Sequence, residues 1–297
     1  MEEKEQFRKW WEENGKRGIS FCECNYTGST LLNIRNWVQE FKGVTPTGRK
    51  GKSKKAKIVQ INDLHIPHHD KKALEVFMQF LKDFKPDQIV IAGDLLDFYQ
   101  LSSFDKDPMR RFTIQDEIDQ CYEVLKELKA LCPEIHFIKG NHEDRLRRFL
   151  WKNPSLASIK VLELPKLLNL DSLDIQYHDY EYVFNKFRFT HGSIVRQDSG
   201  ATAKAELIKY GSSMSSGHTH RLGSYLKTDA RGTVGAYEMG CLCDLEPEYI
   251  AGTPNWCQGF GVFYFDDDRF FCQQIPIIKH EFIYGGKKYK CSKTYSD

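Results

Sequence analysis

Lys57–Asn62 (KIVQIN), followed at once by Asp63-Leu64-His65, is the stretch on which the fold turns: a short apolar run that stops abruptly at a carboxylate and an imidazole. With Ile58, Val59 and Ile61 in six positions, the run reads as a strand. Residues 71–84 then place Leu74, Phe77, Leu81 and Phe84 at helical spacing. Residues 88–92 (QIVIA) form a second strand, and Ile114–Leu131 a second helix with Ile118, Cys121, Leu125 and Leu128 on one face. Ile135–Ile138 is a third strand. Strands that alternate with helices pair in parallel and are buried on both faces. Beyond residue 170 the pattern turns to strands, at about 173–177, 181–190, 223–228, 232–238, 258–266 and 269–278, with one helix near 200–210. The fold class is α/β, with layered sheets and helices outside.

Outward from this stretch, the preceding segment is of another kind. Residues 48–57 hold six basic side chains, no acidic one and no apolar periodicity, and they read as a basic linker. Residues 1–47 form a small helical segment, with helices over 3–14 and 29–42, and residues 58–297 form the main domain. Two helices before a basic linker resemble a helix-turn-helix module, which would bind DNA. The second helix offers only Arg35 and Lys42 as cations, which equally suits a helical pair packed on the main domain or on another copy. Residues 1–57 carry a net +6 and the remainder −4, so the positive charge lies ahead of the main domain.

A chain of 297 residues buries a sizeable core. No apolar run is long enough to cross a bilayer and the N-terminus is charged, so no membrane partner and a cytoplasmic location are expected. Nine irregularly spaced cysteines argue against a disulfide framework. The pairs Cys22/Cys24 and Cys241/Cys243 read as buried or idle thiols.

Each early strand ends in unusual polar residues: Asp63-Leu64-His65, then Gly93-Asp94-Leu95-Leu96-Asp97, then Gly140-Asn141-His142-Glu143. Ligands of open α/β sheets bind beyond the carboxyl ends of the strands, so three clusters converge on one site. Thr190-His191-Gly192 and Gly217-His218-Thr219-His220 follow. Singly, each cluster has an ordinary reading as a turn. Together, carboxylate, imidazole and amide donors without cysteine suit Mn²⁺, Fe or Zn²⁺. Two ions need a shared ligand, and Asp94, with two charged oxygens and a central place in the series, is the candidate.

The ordered set D-x-H, G-D-x-x-D, G-N-H-[D/E], H and G-H-x-H resembles the calcineurin-like metallophosphoesterases, over roughly residues 57–280. The resemblance implies a four-layer α/β/β/α sandwich of two mixed sheets. It implies a hydrolase with two divalent ions, manganese first and iron or zinc next, that lower the pKa of a shared water and stabilise in-line attack. Asp63, His65 and His220 would hold one ion, Asn141, His191 and His218 the other, and Asp94 both. His142 looks like the general acid, with Asp97 orienting its ring.

The substrate is a phosphate ester, and the motif variants bear on which. Protein phosphatases of this superfamily carry Arg-Gly after the second motif, where this chain has Phe98-Tyr99; the Gly-Asn-His-Glu variant is shared with that branch. The paired histidines of the last motif resemble those of phosphodiesterases and repair nucleases, and residues 94–108 resemble phage and prophage members. Tyr99, Arg110 and Arg111 are candidates to stack bases and hold phosphates, or else belong to a packed loop. Arg145, with Arg147 and Arg148, follows the third motif on a helix and either reaches substrate or forms a solvated face. A phosphodiesterase acting on DNA or another nucleotide is the expected activity. The alternatives are a phosphomonoesterase or phosphoprotein phosphatase, and a DNA-binding regulator with a non-catalytic metal site.

Overall fold

The computed structural model describes residues 2–14, 26, 37, 55–103, 105–107, 112–230, 232–246, 252–267 and 269–292. The chain divides into two compact units, Met1–Ser53 and Lys54–Asp297. In the first, helix α1 (Glu2–Glu13) buries Phe7 and Trp11, spaced by one turn, against Trp10, Tyr26 and Trp37. The expected helix over 29–42 lies outside the described residues apart from Trp37, as do Cys22 and Cys24 and most of the basic linker.

The second unit opens with β1 (Ala56–Ile61), β2 (Gln88–Ala92), β3 (Glu134–Ile138) and β4 (Ile175–His178), which pair in parallel in that order. Helices α2 (Lys71–Phe84) and α3 (Ile114–Leu131) make the crossovers. Asp70 caps α2 by accepting from Lys72 N and Ala73 N, and Thr113 with Asp116 forms a capping box on α3. Further on lie α4 (Glu143–Lys152), the short turns α5 (Pro154–Ala157) and α6 (Leu164–Leu167), and α7 (Ala201–Tyr210). Two late strands, β10 (Gly259–Asp266) and β11 (Arg269–Pro276), extend the first sheet from the other side of β1, both antiparallel, to give the order β11-β10-β1-β2-β3-β4.

The second sheet holds β5 (Glu181–Phe184), β6 (Phe187–Thr190), β7 (Met214–Ser216), β8 (Leu222–Asp229) and β9 (Gly232–Met239) in the order β5-β6-β7-β9-β8. Strand alternation explains the layering. Val59, Ile61, Ile89, Ile91, Ile135 and Phe137 face α2 and α3, whereas Ile58, Val90, Ala92, Ile138, Phe263 and Phe265 meet Phe184, Phe187 and Phe189 of the second sheet. Ala203 and Leu207 of α7 cover that sheet's other face with Met214 and Ala236. The layers are therefore helix, sheet, sheet, helix. No helix among the described residues is long and apolar enough to cross a membrane.

Two expectations need correction. The single strand over 181–190 is a hairpin, turning at Asn185 and Lys186 with φ of 46° and 67°. A further hairpin, β12 (Glu281–Tyr284) and β13 (Lys287–Lys290), was not anticipated, although Gly285-Gly286 at its turn is a recognised signal.

Candidate metal centre

Past the ends of β1 and β2 the two loops stay in register. Asp63 N donates to Gly93 O at 3.0 Å, His65 N to Asp94 O at 3.0 Å and Ile66 N to Leu95 O at 2.9 Å. Asp63, His65 and Asp94 all take left-handed φ, at 53°, 50° and 49°. The third motif locks on from β3. Glu143, buried, accepts from the amides of Asp94 (3.0 Å), Leu95 (2.8 Å), Leu96 (3.0 Å) and Gly140 (2.7 Å), so one carboxylate ties the second motif to the third. Burial, and then Asp94 beside it, pushes the Glu143 carboxyl up to about 7. A Cβ on Gly140 would lie 2.2 Å from Asp94 Oδ1, which is why only glycine lets the two loops approach.

The second sheet supplies the remaining groups. His191 follows β6, and His218 and His220 follow β7, with His218 N donating to Asp63 Oδ2 at 2.8 Å. The donor atoms of Asp63, His65 and His220 lie within 4.8 Å of one another, as do those of Asp94, His191 and His218, and those of His65, Asp94 and His142. Asn141 Oδ1 is 2.9 Å from His191 Nε2. Asp94 Oδ2 stands between the two groups, 3.9 Å from His65 Nε2 and 3.4 Å from His191 Nε2. All seven side chains expected to bind metal thus meet at one place.

The residues fit cations. Asp63 Oδ1 is buried and has no hydrogen-bond partner, although His220 Nε2 is 3.2 Å away. Oδ2 of the same carboxylate is served by Asn62 Nδ2 and His218 N. His65 Nε2 and His220 Nε2 face each other at 3.1 Å, two basic nitrogens aimed at one point. Burial would keep His191 and His220 neutral, yet Asp94 raises the first and Asp63 the second to about 10. The pocket draws positive charge to these positions, and divalent ions would supply it without protons.

Beside the cluster, His142 Nδ1 is 2.9 Å from Asp97 Oδ1. Burial lowers the His142 imidazole, but Asp94 and Asp97 outweigh it and the pKa is raised. Asp97 is buried and held far below the usual carboxylate range by His142 and His65. Arg145 Nη1 donates to Asp97 O at 2.7 Å, and Nη2 lies 3.0 Å from His142 Nε2. A cavity of about 530 Å³ opens over these groups, walled by Tyr99, Arg145 and Trp256. Arg110 and Arg111 lie outside the described residues.

Sequence reading missed Trp256, whose ring stands 4.3 Å from that of His220; a lone tryptophan in a loop carries no periodic signal. Cys241 and Cys243 were expected to be buried or idle thiols. They are buried, as expected, and the contact that was missed is Cys243 Sγ at 3.7 Å from His220 Nδ1.

A layered α/β sandwich with aspartate, histidine and asparagine donors gathered at its strand ends defines a metal-dependent hydrolase. The family described as "Calcineurin-like phosphoesterase" matches residues 56–222, and the chain belongs to it. It is 28% identical over 250 residues to the "Gene 54 protein" of Mycobacterium phage L5, covering 78% of this chain and 97% of that protein. It is 29% identical over 247 residues to the protein of the same name from Mycobacterium phage D29, covering 77% and 97%. Among solved structures it is similar to Vps29 of Chaetomium thermophilum at 14% identity, with a TM-score of 0.43 over 75% of this chain and 86% of that one. It is likewise similar to YfcE, a phosphoesterase from E. coli, at 14% identity, with a TM-score of 0.35 over 80% and 100%.

Proposed function

We propose that this phosphoesterase cleaves phosphodiesters, in DNA or another nucleotide substrate, with two divalent ions, manganese first among them. The observation that carries the reading is the pair of adjoining donor groups with Asp94 between them. Asp63, His65 and His220 would hold one ion, Asn141, His191 and His218 the other, and Asp94 both. Bound ions would lower the pKa of an attacking water and neutralise charge on the phosphoryl oxygens.

The chain's own side chains do the rest. Arg145 moves from His142 Nε2 to a phosphoryl oxygen, which frees that nitrogen to carry the proton. Asp97 holds the ring through Nδ1, and Nε2 protonates the departing alkoxide as the phosphorus–oxygen bond breaks. Diesters are favoured because, with Asp94 given to the ions, the described cavity lining sets Asp97 and Asp105 against the one guanidinium of Arg145, a balance that suits a monoanion better than a dianion. Tyr99 and Trp256 offer flat faces to a base. The helical segment 1–47 and basic linker 48–57 would hold the nucleic acid by its phosphates, and the free cysteines suit a cytoplasmic setting.

The test is a comparison, with added Mn²⁺, of nitrophenol release from the bis-ester and the mono-ester, alongside cutting of single- and double-stranded DNA. Faster turnover of the bis-ester is expected. The opposite ranking, with DNA intact, overturns the reading in favour of a phosphomonoesterase.

A further inference from the structure

An imidazole that offers one nitrogen to an ion must keep its proton on the other, and that N–H needs an acceptor. His191 meets the condition in the ordinary way, with Nδ1 2.9 Å from Ala92 O and Nε2 turned toward Asp94. His220 meets it in another. Its Nε2 faces Asp63 Oδ1 and His65 Nε2, and its Nδ1 faces Cys243 Sγ at 3.7 Å, a length suited to sulfur.

The sulfur does not stand alone. Cys241 lies beside Cys243, and Cys241 Sγ donates to Cys257 O at 3.6 Å. The donor atoms of His220, Cys241 and Cys243 are buried within 4.8 Å of one another. These contacts fit one order of protons, with His220 Nδ1–H donating to Cys243 and Cys241 S–H to the Cys257 carbonyl. Cys257 N donates back to His220 O at 2.7 Å, closing the circuit. The same segment also grips the first motif, since Leu242 N donates to Asp63 O at 3.2 Å and Asn62 Nδ2 to Gly240 O at 2.5 Å.

We propose that Cys243, backed by Cys241, is a positioning residue that fixes the Nδ1–H tautomer of His220 and so presents Nε2 to the ion shared with Asp63 and His65. The proposal rests on the two-ion reading above. A thiol here takes the place that a carbonyl takes for His191.

Titration of the full chain with Mn²⁺, followed calorimetrically and by the electron paramagnetic resonance of the free ion, tests it. Cys243→Ala should weaken one of the two ions by about 10–100-fold and leave the other within about threefold. Cys243→Ser, which restores an acceptor, should recover most of the loss. Should Cys243→Ala fail to fold, Cys241→Ala carries the same direction of change at a few-fold. Unchanged binding in the alanine variants, equal weakening of both ions, or a serine variant no better than alanine overturns the proposal. A parent chain that binds no Mn²⁺ overturns the two-ion reading itself, a result visible before any variant is made.

Discussion

Asp63, His65, Asp94, His218 and His220 all sit on left-handed backbone, with φ between 49° and 70°. L residues adopt that region at a cost, and residues forced into it cluster where function over-determines the geometry. The strain has a geometric origin, since each loop must turn sharply at a strand end to aim its side chain into one small volume. Glycine manages the closest approaches, and Gly140→Ala is the sharpest local test. Its Cβ would collide with Asp94 Oδ1 and Asp94 N, so bound metal should fall well below that of the parent in elemental analysis of the purified variant. Asp94→Asn should weaken both ions together in a Mn²⁺ titration, and loss of one alone would contradict its shared role. His142→Asn should lower turnover about 10²–10⁴-fold, the usual range for an acid–base group, with metal content intact. At this scale most of the site was legible, because a strand followed by Asp-x-His or Gly-Asn-His carries its chemistry in adjacent letters. Cys243 and Trp256 were not, since their meaning depends on His220, brought beside them only by the fold.

At the level of single elements, the inner strands read well because their runs are uniformly apolar and bounded by polar turns. The β5–β6 hairpin did not, because Asn185-Lys186 lacks the glycine that usually marks two left-handed positions and the apolar alternation runs through it. The opposed pattern of β1, β2, β3 and β10 puts Phe263 wholly inside, against Phe187, Phe189 and Phe265 between the sheets. Phe263→Ala should cost about 3–5 kcal/mol in denaturant unfolding.

On β3, His136 packs under Tyr182 at 3.6 Å and contacts His178 and Glu134, each at 3.0 Å. Burial pushes its imidazole down to about 4, below the ordinary 6.5, with Glu134 opposing. The unfolded chain therefore binds the extra proton first, and this contribution is complete above pH 6.5 and lost as pH falls toward 4. Unfolding curves at pH 7.5 and 5 should diverge less for His136→Gln than for the parent; equal divergence would clear His136 of the effect.

Over the whole molecule, the side chains proposed to hold the ions come from five separated stretches and from both sheets, so ions at this site would clamp the sandwich. Ions that bind only the folded chain raise its stability by mass action. Excess chelator should lower the thermal midpoint by roughly 5–10 °C per ion lost, and Mn²⁺ should restore it. A midpoint indifferent to chelator would argue against occupied sites. The layered class of the fold was legible from the alternation of strands and helices. The order of strands was not, because nothing local to residues 259–276 says that they join the first sheet rather than the second.

That placement bears on how the protein is made. Every side chain assigned to the ions precedes residue 222, yet β1 is bordered by β10, with Val59 opposite Val262. A nascent chain still on the ribosome would carry the full set of donors while one flank of its central strand stood open. The first sheet can be completed around β1 only after residues 259–266 have emerged, and a product ending at residue 258 should be digested readily by protease where the chain of 297 residues resists.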